Sequence, residues 1–442
     1  MIQIQKHPII KGAFILTMTG FITRFIGFFY RIFLSRTFGE ESVGLYQLIF
    51  PIYALGFSLT AAGIETAISR CVASKVSLGK ASHAKEILYT GISISIALSC
   101  LATFFLQRHS AFIAEQFLNE PRCESLLVIL SYAFPFASIH SCICGYYFGL
   151  KQTKIPAISQ LIEQITRVLS VYILYLFFIK HSLNAGIIIA VIGLTIGEIA
   201  SSFFCIQVIN SKKSGTISIP SFLSGYTCHM KELLLLSVPL TCNRVLLNIL
   251  QSIESVSIPL QLQTFGFSTS ESLSTYGVLT GMALPCVLFP SAITNAVATM
   301  LLPTIAEIQA LNNRKEMTSV VKKVSVLCFS LGCFCCIFLL LFGRLAGNIL
   351  FHSRLAGEFI ITLAWICPFL YTNSNFISII NGLGYTMISF LFNTLGLIIR
   401  IGSVFFLIPF LGIRGYLWGL LGSQLFTFLC CLKFLTHYLS KK

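Results

Sequence analysis

Charge is scarce in this sequence. Asp, Glu, Lys and Arg make up 10% of 442 residues, and aspartate is absent altogether. A soluble domain carries about 25% charged residues, so there is too little charge here to cover a water-facing surface of this size. Catalytic motifs are missing too: there is no H-E-x-x-H, no G-x-x-x-x-G-K-[ST] and no aspartate-rich phosphate–metal motif. The chain therefore carries no catalytic residues of those types and no machinery for ATP hydrolysis. Any work it does must draw on an ion gradient, the membrane potential or consumption of a product. Sixteen cysteines are present, but none forms a C-x-x-C pair with a histidine partner, so they read as small packing residues kept reduced rather than as metal ligands. Neither a metal nor a cofactor is expected.

What is abundant is apolar length. Hydrophobic residues reach 56%, and mean hydropathy is +0.86. They come in blocks of about 20, enough to cross the roughly 30 Å hydrocarbon core as helices whose backbone groups are satisfied internally. Twelve such spans are expected, at approximately 12–35, 44–69, 87–107, 125–150, 155–179, 185–209, 233–262, 274–305, 320–343, 358–383, 386–409 and 413–438. The first block is full-length and lacks a small-residue cleavage site, so it reads as a retained span rather than a signal peptide. Pro51, Pro135, Pro239, Pro259, Pro285, Pro290 and Pro368 fall in or near spans, where proline frees a carbonyl and bends the helix.

The net charge of +15 does not form a soluble basic patch, so no nucleic-acid partner is expected. With the N-terminus inside, eighteen Lys and Arg fall in cytoplasmic segments and seven in the opposite loops. That bias, with an even span count, predicts both termini in the cytoplasm. The halves also repeat. A shift of 233 residues lays Gly44 on Gly277, Thr66 on Thr299, Pro135-Phe136 on Pro368-Phe369 and Arg167 on Arg400. Six spans per half give both copies one orientation, as in transporters built from parallel repeats. The expected architecture is an all-α polytopic membrane protein of two six-helix lobes, 1–210 and 233–442, joined by a cytoplasmic linker at 211–232.

Ionisable residues at membrane depth are the informative ones. Each costs at least about 2.5–3.5 kcal/mol at the centre of an isolated helix, so each needs a partner or a wet cavity. They are Arg24 and Arg31, Glu65, Glu163 and Arg167, Glu198, Arg244 and Glu254, and Arg400. Arg24 and Arg31 are seven apart and share a helix face. Glu163 and Arg167 have the i, i+4 spacing of an intrahelical ion pair. Arg400 has no such partner, because Gly396 stands where Glu163 does in the repeat. Arg244 and Glu254 compensate either one another or a neighbouring helix. Five arginines against four glutamates suit a phosphorylated or pyrophosphorylated substrate, since guanidinium binds phosphate oxygens in bidentate fashion. The glutamates are the expected charge-compensating or coupling groups. His140 stands alone in its span and reads as packed and neutral.

Three stretches resemble the stage V sporulation protein B family of polysaccharide-type flippases, in the multidrug/oligosaccharidyl-lipid/polysaccharide exporter (MOP) superfamily. They are G-F-I-T-R-F-I-G-F-F-Y-R-I-F-L-S-R-T-F-G-E-E-S-V-G-L-Y at 20–46, G-L-K-Q-T-K-I-P-A-I-S-Q-L-I-E-Q-I-T-R-V at 149–168 and S-T-Y-G-V-L-T-G-M-A-L-P-C-V-L-F-P at 274–290. The resemblance implies two facing lobes with alternating access. It implies transport of an undecaprenyl-pyrophosphate-linked oligosaccharide or muropeptide through the cytoplasmic membrane, for spore cortex or envelope. Functional arginines in the first helix of related lipid II flippases match Arg24 and Arg31. Expected partners are that substrate and membrane lipids, with H+ or Na+ as candidate coupling ions. The alternatives are a multidrug cation antiporter of the same superfamily, against which the acid-free first span counts, a membrane glycosyltransferase and a scaffold.

Overall fold

The computed structural model describes residues 6–79, 81–180, 186–211, 219–311 and 313–440. Lys80, Lys212, Lys213, Lys441 and Lys442 of the orientation tally lie outside them, as does 212–218 of the expected linker. Among the described residues there is no strand. The helices are α1 (Lys6–Leu48), α2 (Phe50–Phe57), α3 (Gly63–Ser77), α4 (Ala81–Arg108), α5 (Ser110–Phe112), α6 (Cys123–Ser131), α7 (Ala133–Gly149), α8 (Lys154–Lys180) and α9 (Ile188–Ser211). They continue as α10 (Ile219–Phe265), α11 (Thr269–Gly277), α12 (Leu284–Leu288), α13 (Ser291–Ala310), α14 (Arg314–Phe351), α15 (Arg354–Ala364), α16 (Cys367–Gly382), α17 (Thr386–Leu411) and α18 (Ile413–Ser440). Wider π turns at Ser58–Ala62, Ile113–Phe117 and Val278–Ala283 interrupt the regular pitch.

Among the described residues, eight helical stretches are long and apolar enough to cross a membrane, or up to eleven if each of three bent pairs is one span. Twelve are expected from the sequence, and the difference lies in the stretch Phe14–Ser77. Its 64 residues would be about 96 Å long if straight, several times the hydrocarbon core, and they contain the first two expected spans. Gly39 marks the break, with a φ of 80° inside α1; only glycine adopts that conformation freely. The bent pairs coincide with expected prolines. The chain turns by 61° between Leu288 and Ser291, around Pro290, and by 57° between α15 and α16, where Pro368 opens the new helix. Pro239 and Pro259, by contrast, lie inside α10, which runs unbroken for 47 residues.

The chain divides into two compact units. Unit 1 comprises Met1–Ile26 with Leu48–Ser252, and unit 2 Gly27–Gln47 with Ile253–Lys442. The divisions fall within α1 and α10, so each of these helices contributes to both units. In unit 1 the core gathers Ile64, Ile68 and Val72 of α3, Ile87 and Leu88 of α4, Ile143 and Tyr147 of α7, Cys205 of α9 and Leu233 of α10. In unit 2 it gathers Leu301 and Ile305 of α13, Val321 of α14, Phe376, Ile379 and Ile380 of α16, and Cys431 and Leu435 of α18. All fifteen described cysteines are free, and of these only Cys100 and Cys242 are exposed.

Close helix crossings position the charged residues. A Cβ at Gly145 on α7 would lie 2.5 Å from the Glu65 carbonyl oxygen on α3, and one at Gly197 on α9 would lie 2.9 Å from the Glu163 carbonyl on α8. Small residues let membrane helices approach in this way. The crossings bring Glu65, Glu163 and Glu198 into the packed interior of unit 1. Replacing Gly145 by leucine should overpack the α3–α7 crossing and cost at least about 1–3 kcal/mol. Gly20→Ala, where nothing lies within 4 Å of the added carbon, should leave stability unchanged. Thermal unfolding in detergent checks both.

Candidate functional site

Unit 1 carries a buried polar cluster assembled from four helices. On α8, Arg167 Nη2 pairs with Glu163 Oε1, the expected i, i+4 pair. Glu198 on α9, only 5% exposed, accepts a 2.7 Å hydrogen bond from the Tyr53 hydroxyl on α2. His140 on α7 places Nδ1 3.6 Å from Glu198 Oε2, and its Nε2 lies 2.9 Å from Ser159 Oγ on α8. The nearest donor atoms of His140, Glu163 and Glu198 lie within 4.8 Å of one another. His140 is therefore packed, as expected, but it does not stand alone. It touches the acid cluster on one side and lies beside Cys144 and Cys205 on the other. The cluster thus gathers two carboxyl groups, one guanidinium and one imidazole.

Glu65 on α3 accepts a 2.7 Å hydrogen bond from Ser141 Oγ, next to His140 in the chain. Arg244 on α10 donates to Thr66 Oγ1 at 3.2 Å, beside Glu65 in the chain. Asn248, one turn further along α10, donates to the Ala54 carbonyl at 3.1 Å and to Ser58 Oγ.

Unit 2 solves the same problem with different residues. Arg400 on α17, the repeat counterpart of Arg167, pairs with Glu254 of α10. Glu254 is 4% exposed and also accepts a 2.8 Å hydrogen bond from the Tyr416 hydroxyl on α18. Of the two options open for Glu254, then, the neighbouring helix is the one realised, and Arg244 is not its partner. Arg31 belongs to unit 2, is half-buried, and donates to the Thr280 carbonyl of the π turn at 3.3 Å. Arg24 belongs to unit 1 and is exposed. Among the described residues it makes no hydrogen bond or ion pair.

Tyr53, His140 and Tyr416 are the cluster members that sequence reasoning missed as site residues. For His140 a signal existed. The 233-residue shift pairs it with Asn373, a second buried polar side chain in the middle of an apolar helix. Nothing comparable marks the tyrosines, because a hydroxyl at the end of an aromatic ring is invisible to a hydropathy pattern.

This all-helical fold is that of the MOP transporters. A solved structure described as an inward-facing multidrug resistance MATE family transporter of that superfamily matches with a TM-score of 0.75 at 14% identity, covering 97% of this chain and 99% of the other. The chain belongs to the polysaccharide biosynthesis protein family, whose profile matches residues 9–309. Among curated Bacillus subtilis (strain 168) proteins, it is 27% identical to stage V sporulation protein B over 93% of its own length and 80% of the relative's. It is 23% identical to the lipid II flippase MurJ over 69% of its length and 58% of that protein's. These relationships place it among multi-pass membrane transporters and not among enzymes.

If the Glu254–Arg400 pair is a coupled unit, its two members cannot be removed independently. Breaking a fully buried pair costs about 3–5 kcal/mol, and less is expected here because the Arg400 side chain keeps 23% exposure. Glu254→Gln and Arg400→Gln should each destabilise, and the double variant should recover about 0.5–3 kcal/mol relative to their sum. A thermal double-mutant cycle measures this, and strict additivity would show that the two act separately.

Proposed function

We propose that this chain is a flippase that carries the pyrophosphate-linked saccharide head of a polyprenyl lipid, an oligosaccharide or muropeptide, across the bacterial cytoplasmic membrane. One observation carries this reading: Arg24 is exposed and makes no bond among the described residues, whereas Arg167 and Arg400 are engaged by glutamates. An uncompensated guanidinium in an apolar helix is costly, and a pyrophosphate would satisfy it with charge-assisted, bidentate bonds. Arg31, with one long bond to a carbonyl, has donors left for an anion of its own. The names of two relatives, a lipid II flippase and a sporulation protein, agree with a lipid-linked envelope precursor made during spore or wall assembly.

In this reading lobes 1–210 and 233–442, joined by 211–232, alternate access to opposite sides of the membrane, with both termini cytoplasmic. The lysine and arginine bias supports the orientation. The head group would bind at Arg24 on the cytoplasmic side, while the lipid tail stays in the bilayer. Reorientation would then release the head outside, driven by its consumption there. H+ or Na+ could couple at the glutamate clusters, because Glu163 and Glu198 converge in one buried group.

The MATE-like fold supports a second reading, an antiporter of organic cations. It would need an acid free to bind them. Glu198 and Glu254 are each engaged by a tyrosine, and Glu254 by Arg400 as well, which favours the first reading.

Purified wild type should retain undecaprenyl-pyrophosphate-linked muropeptide in native mass spectrometry, and Arg24→Ala should lose it while eluting and unfolding like wild type. Equal retention by both would sink the assignment of Arg24. Drug sensitivity in a deletion strain, with envelope precursors unchanged, would favour the antiporter.

A further inference from the structure

A second meeting of titratable side chains lies in unit 1, at the N-terminal end of α4 and apart from the clusters above. His83 and Glu86 stand one turn apart on α4, so their side chains share a helix face. His229 reaches them from α10, 143 residues away in sequence from Glu86. His83 Nδ1 lies 2.9 Å, and His229 Nε2 3.1 Å, from the same oxygen, Glu86 Oε2. Each pair of donor atoms in the trio falls within 4.8 Å. Glu86 and His229 are each 7% exposed, whereas His83 is open.

The segment of α10 that carries His229 is fixed by its neighbours. Tyr226 Oη lies 3.0 Å from Ser93 Oγ of α4, Glu232 pairs with Lys75 of α3 at 3.0 Å, and Leu233 is 1% exposed in the unit 1 core. Tyr226, His229 and Leu233 follow at three- and four-residue steps and so form one stripe along the helix. The imidazole is thus held against Glu86 by packing on both sides, independently of its own bond.

We propose that His83, Glu86 and His229 form a binding site for a divalent transition metal of the zinc type, which clamps α10 to α4. Two imidazole nitrogens and one carboxylate oxygen are the donor set of zinc sites that keep a fourth position open for water. The spacing agrees. Tetrahedral bonds of about 2.0–2.1 Å hold donors about 3.3 Å apart, so the observed 2.9 and 3.1 Å need to widen by only a few tenths of an ångström. Exposed His83 provides the entry route, and the two buried ligands provide the enclosure. Without metal, the same atoms hold hydrogen bonds from the imidazoles to the carboxylate. On binding, each ring offers the ion a nitrogen lone pair, which requires that nitrogen to be free of its proton. Sequence spacing conceals the set, because His83 and Glu86 look like an ordinary surface pair until α10 is docked.

The test uses full-length, tag-free protein in detergent, titrated with Co2+ and followed by visible d–d absorption, then displaced by Zn2+ in calorimetry. Wild type should take up a single equivalent. Loss of an outer-sphere partner shifts metal affinity about 10–100-fold, so His83→Ala and Glu86→Gln, which remove direct ligands, should each weaken it at least 10-fold. His109→Ala, an exposed histidine elsewhere, should bind like wild type. His83 is exposed, so its alanine variant should keep the elution and metal-free thermal midpoint of wild type, which separates lost binding from lost folding. Absence of saturable binding by wild type would overturn the proposal. So would undiminished affinity in His83→Ala and Glu86→Gln, which would assign the metal to other donors such as His140, Cys144 and Cys205.

Discussion

A guanidinium at membrane depth must be met by a carboxylate, by water or by a ligand, and much of this structure follows from that demand. Hydrocarbon offers no solvation, so the cost of an arginine falls only when another element supplies the countercharge. Arg167 finds it one turn back along its own helix. Arg400, in the corresponding place of the second half, has a glycine there and draws Glu254 from α10. Equivalent positions therefore lead to different wiring. In unit 1 the pair is complete within α8, and the neighbouring Glu198 is left to bond Tyr53 and approach His140. In unit 2 the pair fastens α10 to α17, and Tyr416 adds α18 through the same carboxylate.

Glycine supplies the other half of this arrangement. Carboxylates can reach across helices only where backbones come close, and Gly145 and Gly197 stand at such crossings. The repeat shows the same device. Gly44 and Gly277, matched by the 233-residue shift, are packed against each other within unit 2, where a Cβ on Gly277 would meet the Gly44 nitrogen at 2.6 Å. Side chains at either position would force the two segments apart.

The helical membrane class, the spans and the Glu163–Arg167 pair were legible because each depends on local spacing. An apolar block of about 20 residues has one low-energy form in lipid, and i, i+4 charges on one helix meet wherever that helix lies. The partners of Arg400, Glu65 and Glu198 were not legible, because they come from helices far away in sequence. Proline marked bends at Pro290 and Pro368 but not in α10, where Pro239 and Pro259 are accommodated without a break. The joint at Gly39, and the division of α1 and α10 between two units, depend on packing that hydropathy does not record.

The burial of the cysteines bears on how the protein can be interrogated chemically. Alkylation by maleimide requires a thiolate, and a thiol held among apolar groups or lipid tails stays protonated and inert. Eleven of the fifteen described cysteines are buried, so most of them are withdrawn from a water-soluble reagent, and Cys100 and Cys242 are the exposed ones to replace first. A single thiol engineered beside Arg24 would then act as a hydration gauge. Its labelling rate, taken from either face of the bilayer, would report when water reaches that turn of α1.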